Sequence, residues 1–361
     1  MNFHPEPKSL VLITSHLIPV QWRHLEGSGP VRAFNPAILA SPPGYLLAYR
    51  LIFPDGLRRI ALCRLDGNLA VVPGSTIPLS DLLSLPEEYA YSEQALTWFA
   101  DPRLFAWGNL LMIHWNSGVH RPQNHQFVQV LDGDKLVPIG TSWELIKADG
   151  QEPIEKNWGL FQGEDTLYSV YSLSPLRILA LSTVGKGKML FSETQLNCWD
   201  DLSYANRFGV MRGGAPPVLV EGRQYLFCHS RYRTFRGICY VPGLFGFSEK
   251  EPFVPEVFRP RPLTLENPFG SRFLYERLND SVSNVVYPCG ALYQSGEWLV
   301  SYGINDEQCA IQRLDHHELV AQLRPTKLLN SPSLPMSWDE AVLPLPQRWK
   351  RRLSRFITSR Y

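Results

Sequence analysis

Asp101 opens the run Asp101-Pro102-Arg103, and polar residues hold similar places in four other segments far apart in the chain: Asn35, Lys156 with Asn157, Arg212, and Asn284. A ring made of a carboxylate, cations and amides suits a polyhydroxylated ligand, whereas a purely structural axis would be plugged by apolar side chains. Glu155 and Asp306 add two carboxylates, which form a catalytic pair with Asp101 only at a suitable separation. His229 follows Tyr-Leu-Phe-Cys, and His114 follows Leu-Leu-Met-Ile. Either histidine fits a packed core as well as a ligand. His316-His317 lies in a charged stretch and reads as solvated. No His/Cys/Asp/Glu cluster has metal spacing, and no glycine-rich phosphate loop is present. Neither a metal nor a cofactor is expected.

The elements that would position these residues repeat. Five segments each open with a polar residue and a proline or glycine, followed by a short apolar strand, a turn and a stronger apolar run. They begin at Phe34 (FNPAILASPPGYLLAYRLIF), Ala100 (ADPRLFAWGNLLMIHWNS), Lys156 (KNWGLFQGEDTLYSVYSLSP), Gly213 (GGAPPVLVEGRQYLFCHSRY) and Tyr287 (YPCGALYQSGEWLVSYGIND). A period of about 55–75 residues is on the long side for propeller blades. Runs such as LLAYRLIF, LYSVYS and WLVSYG are short, β-branched or aromatic, and bounded by turn residues, which is a strand signature. Four-stranded units that cannot bury both faces alone must stack, and radial closure protects their edges. The expected fold is all-β: a five-bladed β-propeller over residues 1–330, with a short helical tail in a basic extension over 331–361. A β-sandwich is the alternative, but its turns recur every 8–12 residues.

The 361 residues are 44% hydrophobic and 19% charged, with a formal net charge of +1, so no global field attracts nucleic acid. Six cysteines (63, 198, 228, 239, 289 and 309) lack metal-knuckle spacing, and a chain of this size needs no disulfide staples. Buried free thiols in a reducing compartment are expected. The start of the chain has prolines and an acid where a basic leader would be, and no stretch approaches the roughly 20 apolar residues of a membrane span. A cytoplasmic location follows as the expectation. The tail PLPQRWKRRLSRFITSRY has no acid, and its apolar residues fall at near-helical spacing. It could pack on the propeller or lie on an anionic membrane as a peripheral contact.

FNPAI with LLAYR, then DPRLF, EKNW, GGAPPVLVEGRQYLFCHS, and NVVYPCGAL with VSYGIND together resemble the ordered motifs of glycoside hydrolase family 130. That family contains β-mannoside phosphorylases and hydrolases on a five-bladed propeller, with β-1,2-mannosyltransferases as a related group. The resemblance spans about residues 30–315 and implies Asp101 as the catalytic acid. It implies Asn35 and Arg50 as holders of the sugar beside the reacting bond. Asp306 would bind sugar hydroxyls, and Lys156 and His229 would stand near the phosphate or nucleophile side. Arg103, Asn157 and Arg212 complete the expected substrate-binding set. Two departures stand out. Ala100 replaces the glutamate that usually precedes DPR, and Tyr171-Ser172 stands where the phosphorylases carry an arginine.

An inverting reaction needs an acid for the leaving oxygen and a nucleophile on the opposite face of the ring. Asp101 can be that acid only if its pKa is raised, and Trp98, Phe99 and Phe105 are candidate apolar walls. The resemblance therefore implies an enzyme that makes or breaks a mannoside-type bond with inversion, by glycosyl transfer or phosphorolysis or by hydrolysis. Glycan synthesis is the favoured context. The partners would be a sugar or oligosaccharide, with phosphate or a sugar phosphate. The competing reading is a non-catalytic, lectin-like propeller.

Overall fold

The computed structural model describes residues 9–118, 124–152, 154–164 and 166–333. The strands fall into five antiparallel blades. Blade one is Arg32–Ser41, Gly44–Ile52 and Arg58–Leu65, edged by bridges from Leu62 to Ile77 and Leu65 to Val71. Blade two is Ala100–Trp107, Leu110–Asn116, Gln126–Leu131 and Pro138–Lys147. Blade three is Gly159–Gln162, Leu167–Leu173, Leu176–Gly185 and Lys188–Trp199. Blade four is Val218–Val220, Arg223–Thr234, Gly237–Ser248 and Pro255–Phe258. Blade five is Val282–Gln294, Glu297–Ile304 and Gln308–Asp315. Its outermost strand is Ser9–Val11, from the other end of the chain, paired in register Ser9 to Gln312. Closing the last blade with the first strand covers an edge that would otherwise be open.

Each blade is covered on both sides, so its strands read as near-continuous apolar runs rather than alternating ones. The core is accordingly divided among the blade interfaces. Leu46 and Ile60 of blade one meet Ile113, Trp115 and Phe127 of blade two. Phe105 and Met112 meet Trp158 and Phe191 between blades two and three. Phe161 and Tyr168 meet Phe245 and Phe247 between three and four. Phe227 and Leu244 meet Trp298 and Val300 between four and five. Leu47 and Tyr49 meet Leu299 and Ile311 between five and one. Five interfaces joining five blades in order make a closed ring. Two parallel pairings add backbone stitching: Lys188–Trp199 along Pro138–Lys147, and Gly237–Ser248 along Val282–Gln294.

All six cysteines are free, five of them buried, as the composition leads one to expect. Among the described residues no helix is long and apolar enough to cross a membrane. The expected helical tail falls almost wholly in 334–361, outside the described residues. His316 is not solvated as expected. It is buried in the short helix His316–Val320 and accepts a hydrogen bond from Trp298 Nε1 at 3.0 Å.

Candidate functional site

The inner strands of blades one, two, three and five pack on one another around the axis, and the backbone changes hand where they open. Asn35, Asp101 and Asn157 have φ of 53°, 50° and 65°, and Asn305 and Asp306 have 54° and 57°. Asn and Asp tolerate the left-handed region better than other residues with a Cβ. At Asn35-Pro36 and Asp101-Pro102 the ladder slips by a bulge, between Phe34 and Ala37 and between Ala100 and Arg103. Bulges re-aim side chains, and strained backbone collects where function requires it. Gly303 permits the arrangement in blade five, because a Cβ there would sit 2.3 Å from Asn35 Oδ1.

These openings surround a cavity of about 730 Å³, counting its open mouth. Seven of the expected substrate-binding residues line it together with the expected catalytic Asp101: Asn35, Arg50, Lys156, Asn157, Arg212, His229 and Asp306. Arg231, Tyr240 and Tyr287 line it as well. Asn284 does not. Its side-chain oxygen accepts from Asn267 Nδ2 at 3.1 Å, and Val285 and Tyr287 of the same strand face the cavity instead.

Arg103 is the correction within the expected substrate-binding set. It is 3% exposed and does not line the cavity. Its Nε donates to Gly214 O at 2.7 Å, Nη1 to Pro102 O at 2.9 Å, and Nη2 to the Tyr287 hydroxyl at 3.0 Å. The Tyr287 hydroxyl in turn donates to Asn157 Oδ1 at 2.8 Å. This chain of bonds runs from blade two to blades four, five and three, so Arg103 braces the cavity floor. In a regular strand Arg103, two residues on, would share the face of Asp101, and the bulge at Pro102 turns it away.

The two cavity carboxyls differ. Asp101 accepts from Asn35 Nδ2 at 2.7 Å, and Arg50 Nη1 lies 3.7 Å from the same oxygen. Burial raises its pKa, but Arg50, Arg103, the Asn35 bond and Lys156 together outweigh burial and hold it below the ordinary value. Trp98, Phe99 and Phe105 are not in the lining, so the apolar walls expected around Asp101 are replaced by cations and an amide. Asp306 is pushed up to about 6, first by burial, with Asp101 adding to the rise and Arg50 and Arg32 opposing it. Asp306 is therefore the carboxyl that holds its proton to the higher pH, up to about 6, where Asp101 is already ionised.

The lining is also polarised around the ring. Blades five, one and two contribute Asp306, Asn35, Arg50 and Asp101. Blades three and four contribute Lys156, Asn157, Arg212, His229, Arg231 and Tyr240, with no carboxylate among them. His229 Nδ1 stands 2.7 Å from Gly213 O, so that nitrogen carries the proton and Nε2 is left as an acceptor. Burial, then Arg212, lowers its pKa to about 3, so the ring is neutral. Glu155 is not available to the cavity. It accepts from Trp158 Nε1 at 2.9 Å, Tyr171 OH at 3.2 Å and Glu152 N at 2.8 Å. His114 is a core residue, bonded to Gln126 at 3.0 Å, and burial lowers its pKa to about 3. Among the described residues no group of three or more His, Cys, Asp or Glu could hold a metal ion.

The sequence reading missed Arg231, Tyr240 and Tyr287. Tyr287 was legible as the polar opening of the fifth repeat, ahead of Pro288, in the place held by Asn35 and Asp101 ahead of their prolines. Arg231 and Tyr240 pair across blade four's hairpin, a register that no local signal announces.

No protein-family model matches the chain, and no curated protein sequence does either. Solved structures do. A β-1,2-mannobiose phosphorylase from Listeria innocua, in complex with β-1,2-mannobiose, aligns with a TM-score of 0.59 at 14% identity, over 87% of this chain and 98% of that one. A glycosyl hydrolase from Bacteroides ovatus aligns at 0.58 and 13%, over 92% and 96%. An α-L-arabinofuranosidase from Lactobacillus brevis aligns at 0.50 and 11%, over 82% and 94%. At these identities the likeness is one of fold.

Proposed function

We propose that this propeller is a carbohydrate-active enzyme that makes or breaks a mannoside-type bond with inversion, exchanging the glycosyl group with phosphate or a sugar phosphate rather than with water. The observation that carries this reading is the polarised cavity lining. The sugar sits on the arc of Asn35, Arg50, Asp101 and Asp306, and the anion sits on the arc of Lys156, Arg212 and Arg231, with neutral His229 beside it. Hydrolysis would call for a carboxylate on the anion side to activate water. None lines that arc, and Glu155 is committed to Trp158, Tyr171 and the Glu152 backbone. The named ligand of the Listeria innocua structure supports a mannoside. The arabinofuranosidase on the same fold is the reason the argument rests on the site and not on the fold.

In the degradative direction a phosphate oxygen attacks the anomeric carbon, the glycosidic C–O bond breaks, and the leaving oxygen takes a proton from the carboxyl pair. In the synthetic direction the acceptor hydroxyl attacks, returns its proton to the pair, and phosphate leaves with the bonding electrons. Asp101 is the catalytic member facing the reacting bond, and Asp306 is the member that carries the proton between turnovers. The charge of Asp101 helps raise the pKa of Asp306, which links the proton held by one to the ionisation of the other. The test is incubation with mannose 1-phosphate and mannosyl acceptors, and with mannosides with and without phosphate. Phosphate-dependent turnover that falls about 10²–10⁴-fold in Asp101→Asn is expected, the usual contribution of a proton-transfer group. Binding of mannosides with no turnover under any of these conditions would favour the lectin-like reading, to which Ala100 and Tyr171 give some footing.

A further inference from the structure

The blade-four hairpin has two twelve-residue arms, Arg223–Thr234 and Gly237–Ser248. The matching arms in blades one and five have eight or nine residues. The extra length lies beyond the cavity. Arg50 and His229 hold matching places opposite the openings of their inner strands. Blade one's middle strand ends two residues past Arg50, and blade four's runs five residues past His229. The difference carries the tip roughly 10 Å further out, at about 3.3 Å per residue.

The tip reads Arg233-Thr234-Phe235-Arg236-Gly237. Phe235 is 90% exposed, and the Arg236 guanidinium lies over its ring at 5.2 Å. The turn is tied rather than loose. The Thr234 hydroxyl donates to Gly237 O at 2.9 Å and accepts from Arg236 N at 3.1 Å, and Ile238 N donates to Ser281 O at 2.7 Å. From Arg223 to Ser248 there is no Asp or Glu. The adjoining segment adds half-exposed Leu274 and Leu278 with Arg272 and Arg277, against Glu276 and Asp280. An aromatic ring held out into the open between arginines matches a bilayer interface, where the ring enters the headgroup–acyl boundary and the guanidiniums meet lipid phosphates.

We propose that the blade-four hairpin tip docks the cavity-bearing end of the propeller onto a bilayer with anionic headgroups. The docking needs no sugar, so it stands or falls separately from the proposed chemistry. It is tested by sedimenting the full chain with vesicles of phosphatidylcholine alone or mixed with phosphatidylglycerol. Association with the mixed vesicles only is expected, weakened at least tenfold in Phe235→Ser and in the double variant Arg233→Glu, Arg236→Glu. These are exposed tip residues outside the packed core, so the fold is retained. In a second measurement, 4-fluorophenylalanine at position 235 gives a ¹⁹F line that broadens when the bound vesicles carry nitroxide-labelled lipid. The proposal is overturned if the unaltered chain ignores phosphatidylglycerol vesicles, if the tip variants bind as tightly as the unaltered chain, or if the ¹⁹F line of bound protein is insensitive to nitroxide.

Discussion

At the scale of single residues, the cavity depends on two carboxyls whose pKa values are pushed in opposite directions. Asp101 is kept ionised by Arg50, Arg103, Asn35 and Lys156, and Asp306 keeps its proton up to about pH 6 because it is buried and faces Asp101. A carboxyl whose pKa is raised in this way is protonated below that value and loses its proton as pH rises through it. If that proton is the one delivered, the rate in the bond-breaking direction falls as pH rises through about 6. Asp306→Asn removes this limb, which a pH–rate profile of the two proteins would reveal. Arg103 acts at one remove. Replacing it with methionine leaves Gly214 O and the Tyr287 hydroxyl without their donor, a loss of about 3–5 kcal/mol by analogy with other broken buried charge networks. Denaturant unfolding would measure it. The positions of Asp101, Asn35 and Arg50 were legible from motif order alone. The ionisation of Asp101 was not, because it depends on cations contributed by blades one and three.

Elements are held by their neighbours rather than by their own sequence preferences. Each blade's strands are apolar on both faces because both faces are covered, and the five interface clusters divide the core equally in kind. Trp298 illustrates the dependence. It is fully buried between blades four and five, and its Nε1 bonds His316 across the blade. Trp298→Ala is expected to cost about 3–5 kcal/mol, visible as a lowered denaturation midpoint with an unchanged denaturant slope. The strand runs were readable as strands, and the five-fold repeat as blades. The bulges at Asn35-Pro36 and Asp101-Pro102 were not, since a proline after a polar residue reads equally well as an ordinary turn. The second of these bulges turns Arg103 away from the cavity and so accounts for its misassignment.

Across the whole molecule, a net charge of +1 conceals a local separation. The cavity gathers Arg50, Lys156, Arg212 and Arg231 against Asp101 and Asp306, with both carboxylates on one arc. An anion bound to the other arc in the native state alone must stabilise that state by mass action. Millimolar phosphate or mannose 1-phosphate is therefore expected to raise the melting temperature by a few degrees, and chloride at equal ionic strength is not. Lys156→Ala should abolish the rise, which a thermal-shift titration would check.

The amino-acid sequence alone determined the number of blades, the strand character of each, the free thiols and the polar openings of the first four repeats, because these are carried by local pattern and repetition; at the fifth it pointed to Asn284 where the structure has Tyr287. Only the tertiary structure decided which openings share a cavity, that Arg103 braces it from behind, that Arg231 and Tyr240 join it across a hairpin, and which of two aspartates keeps its proton. Those outcomes depend on distances between residues up to 271 positions apart, from Asn35 to Asp306, and on the burial and charge that such approaches create.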